Sequence, residues 1–168
     1  MRKVIISVLT CLAGLGILST MIAAATPPAY AVGCYGGSCT GQDPVAEGCA
    51  TGAYTIDSFR YYGPIASLNG ALLELRYSSA CYAAWARVTG GNSNGGCSSP
   101  WLYQGQPCTM VIEGSWNRST VATWIDAWVN GYQSWTWMLS FHYWTRACLA
   151  SRPPFSSTYT RIACTGWH

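Results

Sequence analysis

Residues 65–77 read Ile-Ala-Ser-Leu-Asn-Gly-Ala-Leu-Leu-Glu-Leu-Arg-Tyr, with Asn69-Gly70 between two apolar runs. Asn-Gly in this setting is a strong signal for a β-hairpin, because both turn residues adopt positive φ. Beyond the turn, Leu73 and Leu75 share one face of the predicted strand and Glu74 lies on the other. The pattern therefore predicts antiparallel strands with one face buried.

Other parts of the chain show the same composition of β-branched and aromatic residues between turn residues. Residues 120–129 are ambiguous, because their apolar positions also fit one face of a helix. Asn130-Gly131 favours strands, with a second hairpin between residues 120–129 and 132–139. We therefore predict an all-β fold, a single small antiparallel disulfide-rich domain (barrel or sandwich) with little or no helix after the signal peptide. The further strands are predicted at residues 53–62, 81–88, 109–114, 138–150 and 159–164.

The first 31 residues have the order of a secretory signal peptide. Arg2 and Lys3 precede an apolar run, and two Ala-x-Ala sites follow at residues 23–25 and 29–31. Cleavage is predicted after residue 31, which leaves residues 32–168 as the disulfide-stapled domain. Cleavage after residue 25 and an uncleaved membrane anchor are the alternatives. The predicted location is extracellular, with no membrane association after cleavage.

Nine cysteines in 168 residues indicate disulfides, provided that the chain is exported. One of the nine is lost with the signal peptide, and the even number left predicts four bridges. A metal site is the alternative, but no Cys-x2-Cys pair supports it, and no metal is predicted. Short loops favour the pairs Cys97–Cys108 and Cys148–Cys164, so the first four pair among themselves. The eight are Cys34, Cys39, Cys49, Cys81, Cys97, Cys108, Cys148 and Cys164.

Charge and motifs exclude several function classes. Without the signal peptide, seven arginines balance six acidic residues, which gives no electrostatic case for nucleic acid. No Gly-x-Ser-x-Gly motif or phosphate-binding loop is present, and paired cysteines leave no thiol nucleophile. His142 is interpreted as a half-buried strand histidine. We therefore predict no enzyme activity, no catalytic residue and no cofactor.

Tryptophans are concentrated in the last seventy residues and are the stronger functional signal. Trp and Tyr are typical of protein-binding hot spots and of platforms that stack on sugars. Packing around disulfides in the core is the alternative interpretation. The candidate binding residues are Trp101, Trp116, Trp124, Trp128, Trp135 and Trp137.

Four further residues are predicted to be structural. Glu74 and Arg76 lie on one face of a strand, and Arg87 is placed to meet them from a neighbouring strand. An ion pair, or stacking of an arginine on Trp85, is the expected arrangement.

Residues 34–49, Cys-Tyr-Gly-Gly-Ser-Cys-Thr-Gly-Gln-Asp-Pro-Val-Ala-Glu-Gly-Cys, carry a family resemblance together with Glu-Leu-Arg-Tyr-Ser at 74–78. Ala-Ala-Trp-Ala-Arg at 83–87 and Tyr-Trp-Thr-Arg-Ala-Cys at 143–148 extend it. The sequence resembles the YjfA-like family of small secreted Gram-positive proteins of unknown function. It is also similar to the small adaptor subunits of streptomycete umbrella toxin particles. The resemblance implies secretion, disulfides and no established catalytic residues.

The combined prediction is a secreted, non-enzymatic protein–protein interaction module. The resemblance implies that it serves as an adaptor in an extracellular antibacterial toxin complex, with a lectin and a large toxin subunit as its protein partners. A cell-wall or glycan binding module that uses exposed Trp and Tyr is the first alternative. A small secreted hydrolase or toxin is the second.

Overall fold

The computed structural model describes residues 31–65, 68–90, 108–129, 131–152 and 156–168. Two antiparallel sheets pack face to face, which confirms the predicted small all-β, disulfide-rich domain and identifies it as a sandwich. The first sheet has the order β1-β2-β3-β6, and β7 also pairs with β3. The second has the order β5-β4-β8-β9. The strands are β1 Tyr54–Arg60, β2 Leu72–Ser78, β3 Ala83–Thr89, β4 Cys108–Ser115, β5 Val121–Trp128, β6 Gln133–Trp135, β7 Leu139–Ser140, β8 Trp144–Ser151 and β9 Thr160–Cys164.

The core lies between the sheets. Leu73 and Leu75 of β2 belong to the same fully buried cluster as Met110 and Ile112 of β4. Each buried leucine contributes about 1.5–3 kcal/mol from the apolar surface removed from water. Every residue of β4 is buried, because this central strand has a packed layer on both faces.

The predicted first hairpin is correct in its second arm and wrong in its first. Gly70 has a φ of 81°, as a turn glycine requires. The strand that pairs with β2 is β1, and the intervening residues include a turn in which the Leu68 N–H donates to the Ile65 carbonyl. Pro64 has no N–H to offer a ladder, which disfavours a strand at this point.

The predicted second hairpin is wrong. Residues 121–128 do form a strand, as expected, but β5 belongs to the second sheet and β6 to the first. The chain crosses between the sheets here, and β6 pairs with residues 87–89 of β3. Asn130 lies outside the described residues.

Disulfides fasten the irregular N-terminal segment over the outer face of the first sheet. Cys34–Cys39 and Cys49–Cys81 lie there, around a short 3-10 helix at Gly36–Cys39. Cys148–Cys164 joins β8 to β9. Cys108 is also disulfide-bonded, and its predicted partner Cys97 lies outside the described residues. These bridges indicate that the chain folds in an oxidising compartment.

Residues 1–30, the bulk of the predicted signal peptide, lie outside the described residues. Within the part of the chain that the structure describes, no helix has the length and apolar character needed to span a membrane.

Candidate binding surface

The predicted binding tryptophans do not form one surface. Trp116 and Trp128 are 66% and 51% exposed, but they lie at opposite ends of the ladder between β4 and β5. Trp124 is partly buried against Tyr159, and Trp135 is partly buried and donates to Asp43 at 3.2 Å. Of the other two candidates, Trp137 is exposed between β6 and β7, and Trp101 lies outside the described residues.

A different set of rings forms a continuous surface at one end of the sandwich, which we call the aromatic end. Its centre is Tyr82, whose ring lies 5.8 Å from that of Tyr35, 6.1 Å from Phe141 and 5.0 Å from His142. Trp116 packs on Tyr143 at 4.2 Å. The aromatic end comprises Tyr35, Tyr54, Tyr77, Tyr82, Trp116, Phe141, His142, Tyr143 and Trp144.

Turns at one end of both sheets bring these rings together. Tyr82 lies in the turn between β2 and β3, and Phe141 and His142 lie in the turn between β7 and β8. The Phe141 N–H donates to the Tyr82 carbonyl at 3.1 Å, which fixes the two turns against each other. Trp116 enters directly after β4, at the position next to the start of β8.

Backbone strain is concentrated at the same place. In the described part of the chain, two non-glycine residues have left-handed backbones, Tyr82 with φ 48° and Arg118 with φ 63°. A bulky side chain in this region costs about 1–3 kcal/mol, and such strain clusters at functional sites. The Arg118 guanidinium carbon lies 3.3 Å above the Trp144 ring, so one strained residue is the centre of the aromatic end and the other packs against it.

A cavity of about 280 Å³ opens within the aromatic end. Gly36 forms part of its surroundings, because a Cβ there would lie 3.2 Å from His142 Nε2. His142 is exposed in a turn, which makes the predicted half-buried strand histidine wrong. The cavity is lined by Tyr82, Phe141, His142, Tyr143, Trp144 and His168.

His168 is held at the cavity by backbone and side chain. Its N–H and carbonyl pair with Thr145, and its Nε2 lies 3.2 Å from Asp57 Oδ2. Burial by itself raises the pKa of Asp57, but hydrogen bonds from the Gly166 N–H and the His168 ring outweigh it and lower the pKa. Asp57 therefore stays ionised at neutral pH and orients His168.

The residues predicted to be structural do assemble on the outer face of the first sheet. Arg87 donates from Nε and Nη2 to the Glu74 carboxylate at 2.6 and 2.8 Å. Arg76 donates instead to Thr55 and to the Ala53 carbonyl. Trp85 packs with the N-terminal disulfides.

The second sheet has an equivalent group that the sequence did not reveal. The fully buried Glu113 accepts from Arg146 at 2.7 Å, from Arg161 at 2.5 Å and from the Tyr159 hydroxyl. Burial and Glu113 together raise the pKa of Tyr159. Arg146 also lies 4.2 Å from the centre of the Trp167 ring.

The N-terminal cysteines have the grouping that a metal ion would need. The sulfurs of Cys34, Cys39, Cys49 and Cys81 all lie within 4.8 Å of one another. Thiolates are the metal-binding form of cysteine, and here the four sulfurs are joined in two disulfides. In this oxidised state the group is a structural clamp.

Sequence reasoning missed most of the aromatic end. The run Phe141-His142-Tyr143-Trp144 was a visible signal, since four consecutive aromatic rings cannot all face one core. Nothing in the sequence indicated that Tyr82 adopts a left-handed backbone or that His168 folds back onto Asp57.

Fold and surface together define a small, disulfide-stapled β-sandwich with a cluster of aromatic rings at one end. The family model described as a protein of unknown function, DUF2690, matches residues 37–130. Since the match covers more than half of the chain, the chain belongs to this family. No curated protein and no solved structure matches it.

Proposed function

We propose that this chain is a secreted, non-enzymatic binding module that presents its aromatic end to an extracellular partner protein. The observation that carries the proposal is the coincidence of exposed rings with backbone strain at Tyr82 and Arg118. Rigid aromatic side chains supply much contact area at low entropic cost, which suits them to binding.

The finer proposal is that the partner belongs to an antibacterial toxin complex in which this chain is an adaptor. Its support is the resemblance to the YjfA-like family and to the umbrella toxin adaptors. The predicted export signal and the three disulfides formed between described residues fit an extracellular assembly.

The placement of the acidic side chains supports a binding role over glycoside hydrolysis by a pair of carboxylates. Glycoside hydrolysis needs two carboxylates facing one bond. Asp126 is paired with Arg152, and Asp43 caps the backbone of Val45 and Ala46. Asp57, Glu74 and Glu113 are held in the separate networks described above. None of the described residues that line the aromatic cavity is acidic, and Asp57 contacts the cavity through His168.

The test is affinity capture from the culture fluid of the producing strain with the tagged mature chain, compared with two tryptophan variants. Trp116→Ala removes an exposed ring from the aromatic end, and Trp128→Ala removes one from the opposite end of the same ladder. We expect the wild type and Trp128→Ala to recover the same partner in stoichiometric amount, and Trp116→Ala to lose it. Equal recovery by all three chains, or no partner at all, would contradict the proposal.

A glycan is the second candidate for the same surface, and the cavity favours it. Its volume of about 280 Å³ is close to the lower end of ligand pockets, and its walls combine ring faces with imidazole nitrogens. Binding of the mature chain to purified cell walls, lost in His142→Ala, would place the glycan role first. If His142→Ala bound cell walls as well as the wild type, a glycan role for the aromatic cavity would be excluded.

A further inference from the structure

A second cleft lies on the side of the sandwich where each sheet ends in an unpaired edge strand. β1 is the edge of the first sheet and β9 the edge of the second, and no strand of the described segments closes the seam between them. Residues 59–64 and 161–163 line a cleft of about 420 Å³ at this seam. We call it the basic cleft.

The basic cleft is separate from the aromatic end. The two cavities share no lining residue. Tyr54 begins β1 at the aromatic end and Arg60 ends it at the cleft, about 20 Å away by strand geometry.

Arginine supplies the charge of the cleft, and none of its lining residues is acidic. Arg60 is exposed and donates to the carbonyl of Gly70 at 3.0 Å. Arg161 shares the single carboxylate of Glu113 with Arg146, so the three groups together keep one positive charge. The Arg161 side chain lines the cleft and is 45% exposed, so its pairing with Glu113 does not close it off from solvent.

Aromatic groups complete the wall. Tyr62 is 76% exposed beside Arg60 and offers a free ring face. Tyr61 is 6% exposed, and its hydroxyl has no hydrogen-bond partner among the residues that the structure describes. Gly63 permits this packing, because a Cβ there would lie 2.3 Å from the Tyr61 hydroxyl oxygen.

We propose that the basic cleft binds an acidic sugar unit, with its carboxylate or phosphate on Arg60 and Arg161 and its ring on Tyr62. The planar guanidinium group donates in a fork that matches both anions. Aromatic faces suit the apolar face of a sugar ring. The inference concerns a second site and does not depend on the partner proposed for the aromatic end.

The test is an amide NMR titration of the mature chain at low ionic strength with four probes. The probes are glucuronate, glucose 6-phosphate, glucose and inorganic phosphate, which separate the two anions from the sugar ring. We expect saturable shifts at residues 59–63 and 161–163 with the acidic sugars, weaker binding of inorganic phosphate and none of glucose. Saturable binding of one acidic sugar alone would support the site and identify its anion.

Variants make the test specific to the cleft. Arg60→Gln removes an exposed arginine and should weaken acidic sugar binding about tenfold or more, as the loss of one charge-assisted hydrogen bond does. Arg161→Lys keeps the charge beside Glu113 but loses the fork, so a smaller weakening is expected. Arg152→Gln is the control, since Arg152 is paired with Asp126 outside the cleft.

Unchanged binding by Arg60→Gln, equal affinity for glucose, or shifts spread over all the arginines would overturn the proposal. Trp116→Ala should leave the titration unchanged. A failure at the aromatic end is therefore distinguishable from a failure at the cleft.

Discussion

Each sheet carries a buried glutamate paired with an arginine on its outer face, but the further partners of the two glutamates differ. Glu74 on β2 lies opposite Arg87 on β3, and Glu113 on β4 lies opposite Arg146 on β8. Glu113 is fully buried and takes a second arginine and a tyrosine hydroxyl. The second arginine near Glu74, Arg76, is directed to the backbone and to Thr55 instead.

This difference in arginine partners is related to the residues that lie over each face. The N-terminal segment covers the first sheet and offers carbonyl groups, which draw Arg76 away from the carboxylate. On the second sheet, Arg146, Arg161 and the Tyr159 hydroxyl all donate to Glu113. A carboxylate removed completely from water needs such partners. On both faces the glutamate and its arginines pair with one another, and Arg161 is the one of them that also lines the basic cleft.

The largest expected effect is the loss of the Glu113 charge. Glu113→Gln leaves Arg146 and Arg161 without the fully buried carboxylate that they share, and we expect a loss of about 3–5 kcal/mol in the free energy of unfolding. Glu74→Gln should cost about 1–3 kcal/mol, because Glu74 forms an ion pair with one arginine, Arg87, whereas Glu113 pairs with two. Urea denaturation of both variants measures the difference.

Both substitutions keep the shape of the side chain, so each serves as the control for the other. Equal losses in the two variants would show that the extra donors around Glu113 add nothing. The contrast between the faces would then be one of geometry alone.

Disulfides should give the next largest effects and should rank by loop length. Cys49–Cys81 closes a separation of 32 residues, Cys148–Cys164 one of 16 and Cys34–Cys39 one of 5. The chain-entropy model gives about 4, 3 and 2 kcal/mol respectively. Paired Cys→Ala variants, which leave no free thiol, measure each bridge by thermal unfolding. A larger loss from Cys148→Ala/Cys164→Ala than from Cys49→Ala/Cys81→Ala would show that the second face depends more on its bridge than the first.

Most strand positions could be predicted from the sequence, because the residue patterns that favour a strand involve neighbours along the chain. Alternation identified β2, and the aromatic and threonine content of residues 121–128 correctly favoured a strand over a helix. Pairing of strands is not local. Asn130-Gly131 has the composition of a hairpin turn, yet the flanking strands belong to different sheets because β6 finds its partner in β3.

The aromatic end was harder to predict, because it too depends on contacts between residues that are distant in the sequence. Composition pointed to tryptophan, but a tryptophan such as Trp124 or Trp135 fills space on an outer face as readily as it binds a partner. The aromatic end depends on three distant turns that meet in space. Tyr82, which has a left-handed backbone, is the last residue of the turn between β2 and β3.

A smaller effect is expected in the pH dependence of stability, where Glu74 of the first face and Tyr159 of the second should act in opposite pH ranges. Burial raises the pKa of Glu74, but hydrogen bonds from Arg87 and Thr55 outweigh it, so the pKa lies below the ordinary 4.5. The stability that it contributes is present above pH 4.5 and is lost as the pH falls through the lowered value. Tyr159 has a pKa above its ordinary 10.0 in the folded chain, so its contribution is lost as the pH rises beyond 10.

Unfolding free energies measured from pH 3 to 11 test this division. Glu74→Gln should flatten the acid limb and leave the alkaline limb unchanged, and Tyr159→Phe should do the reverse. A variant that alters both limbs equally would contradict the assignment of the acid effect to Glu74 and of the alkaline effect to Tyr159.

The smallest expected effect comes from the rim of the second face. Arg152 pairs with Asp126 at 2.5 Å and lies 5.3 Å from the centre of the Trp124 ring. Because both charged side chains keep access to water, Arg152→Gln should cost less than about 1 kcal/mol. Denaturation in low and high salt measures it, and the loss should shrink as salt rises. A loss as large as that of Glu113→Gln would show that the charges of the second face act as one network extending to its rim.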